Sequence, residues 1–127
     1  MNDLLHKEIT DKILKAFYNV HYILGYGFLV KIYENSMAIE LSELGLNFEQ
    51  QKPVKVFYKH KPVGDYVADF IVENSVILEL KACSIIAEEH EFQLINYLKA
   101  TDIQVGLLLN FGKKAEFKRK IFTINKI

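Results

Sequence analysis

Cysteine and arginine are the two residues that this sequence most nearly lacks. Cys83 is the only cysteine among 127 residues, so an internal disulfide and a zinc site built from several thiolates are both excluded. Arg119 is the only arginine, and the other basic residues are lysines. Arginine makes the commonest bidentate contact with guanine, whereas lysine acts as a point charge on phosphate. Any contact with nucleic acid is therefore expected to read little base sequence, although a biased genome composition would explain the same shortage.

The chain also lacks an excess of either charge and any long apolar run. Its formal net charge is zero, which argues against a protein that coats nucleic acid through bulk charge. No apolar run approaches the roughly 18 residues of a membrane-spanning helix. The N-terminal stretch MNDLLHKEITDK does not have the layout of a signal peptide, so a cytoplasmic protein is expected. With 50% hydrophobic and 25% charged residues, positions 1–127 are predicted to form one globular domain.

Two kinds of periodicity divide the chain. Apolar residues at helical spacing predict amphipathic helices over 4–24 and 28–44, with Gly25 and Gly27 between them. Beyond Pro53, short alternating or apolar stretches predict a three-stranded antiparallel meander. A helix over 86–100, a fully buried strand over 103–111 and a lysine-rich edge strand over 118–124 are predicted to follow. The order α-α-β-β-β-α-β-β predicts an α/β fold in which helices flank a mixed sheet.

The stretch VILELKAC, residues 76–83, contains two charged residues inside a run of strand formers. Alternation along a strand puts Glu79 and Lys81 on one face. If residues 73–75 form a three-residue turn, Asp69 of the preceding strand lies opposite Glu79 on that face. The asparagine at the centre of the turn tolerates the left-handed conformation that such turns need. A two-residue turn would shift the register by one and separate the charges.

Two carboxylates and a lysine in one partly buried cluster suit a hard divalent cation. Magnesium takes oxygen ligands and usually keeps waters or a substrate phosphate in its remaining positions. Such an ion stabilises charge on a phosphate and lowers the pKa of a bound water. A neighbouring ammonium could orient or deprotonate the attacking water, or offset the growing negative charge. The alternatives for the same residues are a structural ion pair and a solvent-exposed face.

The spacing Asp, then nine residues, then Glu-x-Lys resembles the PD-(D/E)XK nuclease superfamily. Asp69 stands in VADF, and Glu79 and Lys81 stand in LELKA. Longer stretches resemble, in order and spacing, the GxxExxY protein family assigned to that superfamily. They are GYGFLVKIYENSMAIEL, VGDYVADFIVENSVILELKA, HEFQLINYLKAT and GLLLNFG. This resemblance covers roughly residues 5–125.

The resemblance implies a restriction-endonuclease-like core, a mixed sheet flanked by helices with an acidic cluster at one end. It implies that Asp69 and Glu79 are metal ligands, for Mg²⁺ or Mn²⁺, and that Lys81 is the catalytic lysine. Gln93 and Tyr97 match the helix motif that follows the core.

The spacing of these helix residues places them on one helical face. Gln93 and Tyr97 are one turn apart, and His90 lies one turn earlier. The three side chains would face the acidic cluster or a phosphate. The alternative for His90 and Tyr97 is packing of the helix on the sheet with satisfied polar tips.

The sequence departs from the family at the position that gives it its name. The glutamate of GxxExxY falls at position 30, where this chain has Val30, and Tyr26 replaces the proline usual between the two glycines. A first-helix acid often completes the metal site in the superfamily, and valine cannot bind a cation. Glu34 lies one helical turn further on, on the same face, and could serve as a substitute ligand or remain solvated.

Three functions are compatible with the sequence. The first is a Mg²⁺- or Mn²⁺-dependent nuclease that hydrolyses phosphodiester bonds in DNA or RNA with weak sequence specificity. The second is a catalytically degenerate nuclease-fold module that binds nucleic acid or a protein, with Val30 as the mark of lost activity. The third is a structural partner that uses exposed aromatic residues as an interface. A homodimer is also expected, because small nucleases often dimerise to reach both strands.

Overall fold

The computed structural model describes residues 5–123, which form three helices and a five-stranded mixed sheet. The elements in chain order are α1 (Lys7–Leu24), α2 (Val30–Glu43), β1 (Phe48–Tyr58), β2 (Lys61–Val72), β3 (Val76–Lys81), α3 (Glu88–Lys99), β4 (Val105–Phe111) and β5 (Ala115–Ile121). The predicted element order is thereby confirmed. No helix within the described range is long and apolar enough to cross a membrane.

The strands lie side by side in the order β1-β2-β3-β4-β5. β1, β2 and β3 form the predicted antiparallel meander, and β5 lies antiparallel to β4 at the predicted edge. β3 and β4 are parallel, and α3 is the crossover that connects them. Parallel neighbours need such a crossover because a short turn cannot return the chain to the same end of the sheet.

The sheet has a hydrophobic core on each face. Helices α1 and α2 pack on one face around residues that include Phe17, Met37 and Phe70. Helix α3 packs on the other face through Leu94 and Leu98. Gly106 of β4 allows this close approach, because a Cβ at that position would lie 2.7 Å from a Leu94 methyl carbon.

Tyr33 fixes the connection between α1 and α2. Its side chain is fully buried and its ring stacks on that of Phe111, with centroids 4.4 Å apart. Its hydroxyl donates to the carbonyl of Gly25 at 2.6 Å and accepts the N–H of Phe28 at 3.2 Å. The tyrosine of the GxxExxY-like stretch therefore has a structural role, since it closes the loop that leads into α2.

The first and last strands differ from their predicted bounds. β1 begins at Phe48, six residues before the predicted strand at Val54, and it runs through Pro53. Proline is tolerated there because β1 is an edge strand and a missing N–H costs no ladder hydrogen bond on the open side. β5 occupies Ala115–Ile121 instead of 118–124. The predicted ends at residues 4 and 124 lie outside the described residues.

Candidate active site

The turn between β2 and β3 sets the register of the candidate site. Glu73 and Asn74 both have positive φ angles, 53° and 51°, and Val72 pairs with Val76. The three-residue turn and the register inferred from it are thereby confirmed. Counting along the strands from this pair places Asp69 opposite Glu79, one position beyond the last paired residues.

Carboxylates replace the backbone acceptors where the β2–β3 ladder stops. The last β2–β3 pair is Phe70 with Leu78. Beyond it, the N–H of Asp69 donates to Glu79 Oε2 at 2.9 Å, and the N–H of Leu80 donates to Asp69 Oδ2 at 2.8 Å. Each carboxylate thus accepts a backbone N–H of the opposite strand. These two bonds take the place of ladder hydrogen bonds at the point where β2 and β3 diverge.

The alternatives of a solvent-exposed face and a structural ion pair do not explain these charges. Glu79 is only 7% exposed, so its carboxylate does not lie on a solvated face. The salt bridges within residues 5–123 include neither Glu79 nor Lys81. The half-buried Lys81 ends β3 close enough for its ammonium to lower the pKa of both carboxyl groups. An acid buried without an ion-pair partner at a strand end indicates a site for a ligand.

The ionisation of the two carboxyl groups is disfavoured. Burial, followed by the charge of Asp69, raises the pKa of Glu79 to about 8. Burial also raises the pKa of Asp69, although the hydrogen bond from Leu80 acts in the opposite direction. Two acids close together in a partly dry site do not both ionise readily unless a cation compensates them. The pair therefore has the electrostatics of a cation site.

The backbone is irregular beside Asp69. Along β2, Phe70 packs in the core under α1 and α2, whereas Ala68 and Tyr66 pack in the core under α3. Strict alternation would place all three on one face. On β1, across from Asp69, Gln51 has a φ of 52°, in the left-handed region that costs a non-glycine residue roughly 1–2 kcal/mol. Such strain is commonest at functional sites.

The irregularity brings two successive glutamines to one buried acid. Gln51 Nε2 donates to Glu34 Oε1 at 3.0 Å and to Asp69 Oδ1 at 3.2 Å. Gln50 Nε2 and Lys31 Nζ both contact Glu34 Oε2, the lysine at 3.2 Å. Glu34 is 5% exposed and is connected to Asp69 through a single amide nitrogen.

Glu34 thus lies next to the predicted pair, as its position on α2 suggested, but both of its oxygens are already hydrogen-bonded. Glu34 Oε1 accepts one hydrogen bond, from Gln51, and each carboxylate oxygen has a second lone pair that can still coordinate a cation. Val30, the first residue of α2, is 40% exposed, and its side chain offers no ligand atom. Glu34 is therefore the acid that α2 contributes to this region.

Of the three residues predicted on helix α3, Tyr97 is linked to the carboxylates by its pKa and its ring contact. The Tyr97 ring stacks on Tyr66, with centroids 3.7 Å apart, and burial, then Glu79, raises the pKa of Tyr97. His90 Nδ1 instead accepts the N–H of Ala87 at 3.3 Å, at the start of the helix. Gln93 is exposed. Tyr97 therefore packs on the sheet, as the alternative interpretation predicted, and also lies close enough to Glu79 and Asp69 for their charges to affect its pKa.

The donor set fits a divalent cation that keeps part of its water shell. Within residues 5–123, no three His, Cys, Asp or Glu side chains are close enough to form a complete metal site by themselves. Asp69 and Glu79 supply two carboxylates, and Mg²⁺ is commonly bound by one or two carboxylates with waters and phosphate oxygens. A tetrahedral zinc site needs four protein ligands, or three protein ligands and a water, and these are mainly cysteine and histidine. Two carboxylates do not meet that requirement.

Two residues of the site were missed by sequence reasoning. Gln51 precedes Pro53, and the alternating pattern that predicted the strand begins only after that proline. The adjacent amides of Gln50 and Gln51 were the available signal. Tyr66 contacts Tyr97, 31 positions away, through the ring stack and a 3.2 Å bond from its hydroxyl to the Tyr97 carbonyl. Nothing in the sequence indicates that pairing before α3 is placed on the sheet.

Comparison with solved structures supports the fold. The crystal structure of SSO0001 matches with a TM-score of 0.59 and 16% sequence identity, over 75% of this chain and 51% of that one. The chain thus spans about half the length of that protein, and at this identity the likeness concerns the fold alone. None of the curated proteins compared with the chain matches it significantly.

A family model covers nearly all of the chain. The model of the PD-(D/E)XK nuclease superfamily matches residues 7–120, a range that includes the buried residues of both cores and the whole acidic cluster. Together with the mixed sheet and its flanking helices, this match extends well beyond the short motif on β2 and β3. The chain belongs to the PD-(D/E)XK nuclease superfamily.

Proposed function

We propose that the protein is a divalent-metal-dependent nuclease that hydrolyses phosphodiester bonds. One observation carries the proposal: the partly buried Asp69 and the buried Glu79 converge where β2 and β3 separate, without a salt bridge and beside Lys81. Membership of the superfamily supports a nuclease fold and nucleic acid as the partner, and its members generally use divalent metals.

Asp69 and Glu79 would hold Mg²⁺ or Mn²⁺, which supplies charge stabilisation at the phosphate and a lower pKa for a bound water. The N–H groups of Asp69 and Leu80 keep one oxygen of each carboxylate in place. The other oxygen of Asp69 accepts from Gln51, so this carboxylate is held in place before a cation binds, which lowers the cost of reorganisation.

Lys81 is proposed as the catalytic lysine. Because no ion pair in the described residues occupies its ammonium, it is available to orient the attacking water or to offset negative charge on the phosphate. Gln51 is proposed as a positioning residue, because its amide donates to Asp69 and to Glu34 and so holds the two carboxylates in fixed relative positions. Tyr97 limits the access of water to Glu79 on the α3 side.

The test is cleavage of labelled duplex DNA, single-stranded DNA and structured RNA with Mg²⁺, Mn²⁺ or EDTA. Asp69→Asn and Lys81→Met should reduce the rate at least about a hundredfold, since each removes a group that acts on the reacting phosphate. Asp11→Asn and Lys12→Met on α1, both at exposed positions, are the matched controls and should cleave like the wild type. Cleavage that persists in the Asp69 and Lys81 variants would identify a contaminant and reject the proposal.

A degenerate module that binds without cutting is the second candidate, and a specific observation favours it. α2 begins with the exposed Val30 where the family motif has an acid, and no three acids among the described residues are arranged to hold a metal ion together. This candidate predicts nucleic-acid binding that is unaffected by Mg²⁺ and no cleavage under any condition above. Val30→Glu in an inactive wild type would then be expected to restore metal binding.

A further inference from the structure

The β1–β2 hairpin extends beyond the rest of the sheet. β2 pairs with β3 only from Phe70 to Val72, whereas its pairing with β1 continues to Lys61. Val54 and Tyr66 are the last hairpin residues that pack against the core under α3. Residues 55–65, here called the hairpin arm, continue past them for roughly 13 Å at about 3.3 Å per residue.

The arm is positively charged in a chain that is neutral overall. It contains Lys55, Lys59, Lys61 and His60, and its single acid, Asp65, pairs across the hairpin with Lys55. Every arm residue except Val56 is exposed. A zero net charge for the whole chain makes this concentration of lysines a local feature and gives the arm complementarity to a polyanion.

Apolar side chains lie between the lysines. Phe57, Tyr58 and Val63 are 59%, 64% and 62% exposed, and the Lys59 ammonium lies 5.5 Å from the centre of the Tyr58 ring. Large apolar side chains that are clustered and solvent-exposed at a hairpin tip indicate contact with a partner. Basic residues interleaved with aromatic ones suit a nucleic acid, which offers both phosphates and the apolar edges of its bases.

The arm is fixed relative to the candidate active site. The stack of Tyr66 on Tyr97 and the hydrogen bond between them anchor its base to α3. Asp69 lies on the same strand, eight positions from Lys61, a distance of roughly 26 Å along an extended strand. A ligand that contacts both must be at least that long, which excludes a nucleotide and requires about eight base pairs of duplex.

We propose that the hairpin arm lies in the major groove of duplex DNA while the adjoining phosphodiester occupies the acidic cluster. The proposal rests on the nuclease function above and names its substrate class. The major groove of B-DNA, about 12 Å wide, admits a two-stranded β-ribbon, whereas the major groove of duplex RNA is too narrow. Lysines without arginine bind phosphates and read little sequence.

The test is binding of a labelled 24-base-pair DNA duplex by fluorescence anisotropy, in EDTA, between 50 and 300 mM NaCl. The arm variant is Lys55, Lys59 and Lys61 all changed to Gln. The matched control changes Lys7, Lys12 and Lys15 of α1, which are also exposed, to Gln. Each phosphate contact contributes about 0.9 to the slope of log affinity against log salt.

The arm variant should therefore lose about 2.7 from that slope and bind at least about 30-fold more weakly at 100 mM salt, while the control keeps both values. Lys59→Glu alone should also weaken binding. Equal losses in both triple variants, no binding by the wild type, or tighter binding of a 24-base-pair RNA duplex would overturn the proposal. Because EDTA removes the metal, binding is measured separately from catalysis. If binding depends on the arm lysines but cleavage does not depend on Asp69, only the nuclease function is rejected. If cleavage depends on Asp69 but binding does not depend on the arm lysines, only the role of the arm is rejected.

Discussion

Replacing Glu79 by Gln should stabilise the metal-free protein at alkaline pH. Gln keeps an oxygen that can accept a hydrogen bond from the N–H of Asp69. It also removes the negative charge of a residue that is only 7% exposed. The pKa of Glu79 is raised from 4.5 to about 8, mainly by burial and then by Asp69. An acid whose pKa is higher in the folded state favours folding below pH 4.5, and this stability is lost as the pH rises through 8.

The size of the effect follows from the same shift. At about 1.4 kcal/mol per pH unit, the loss from Glu79 alone is on the order of 5 kcal/mol between pH 4.5 and pH 9. Glu79→Gln should be close to the wild type in unfolding free energy near pH 4.5 and more stable by several kcal/mol at pH 9. Saturating Mg²⁺ should narrow the difference, because a cation compensates the wild-type charge.

The assay is urea unfolding in EDTA at pH 4.5, 6, 7.5 and 9. Glu91→Gln is the matched control with the opposite sign, because the hydrogen bond from Lys120 lowers the pKa of Glu91. Its substitution should lower stability at neutral pH, with an effect that fades on acidification. A difference between wild type and Glu79→Gln that stays constant from pH 5 to 9 would refute the burial argument.

Three further predictions concern single residues. Tyr33→Phe should cost about 1–3 kcal/mol of unfolding free energy, because it leaves the partly buried carbonyl of Gly25 without its donor; urea unfolding against Tyr22→Phe, at an exposed tyrosine, measures it. Gly106→Ala should cost about 1–3 kcal/mol because its Cβ would meet Leu94 at 2.7 Å, and an unchanged melting temperature would contradict this. Gln51→Gly should exceed Gln51→Ala in stability by about 1 kcal/mol, since only glycine adopts a φ of 52° without strain, while both should weaken metal binding equally.

Much of the fold was predictable because local patterns determine it. The change from helical to strand periodicity separates α2 from the meander, and the three residues 73–75 set the register that unites Asp69 with Glu79. Alternation then places both carboxylates together. These inferences use neighbours in sequence or one hairpin, where geometry leaves few choices.

The rest of the site depends on contacts that local patterns do not contain. The positive φ of Gln51 and the shared hydrogen bonds of Glu34 arise where β1, β2 and α2 meet, and no periodicity describes that junction. The β2–β3 ladder ends at Phe70, so the rest of the β1–β2 hairpin is not paired with β3. This is likewise a tertiary feature. Lys81 illustrates the same limit, since its lack of an ion pair within the described chain follows only from three-dimensional placement.

The most direct test of the account is calorimetric titration of Mg²⁺ and Mn²⁺ into wild type, Glu79→Gln and the exposed-acid control Asp65→Asn at pH 8. The account predicts binding to the wild type and to the control, and binding at least about tenfold weaker in Glu79→Gln, because one of the two carboxylates is lost. Equal binding by all three proteins would place the ion elsewhere. No binding by the wild type would contradict a metal site at Asp69 and Glu79.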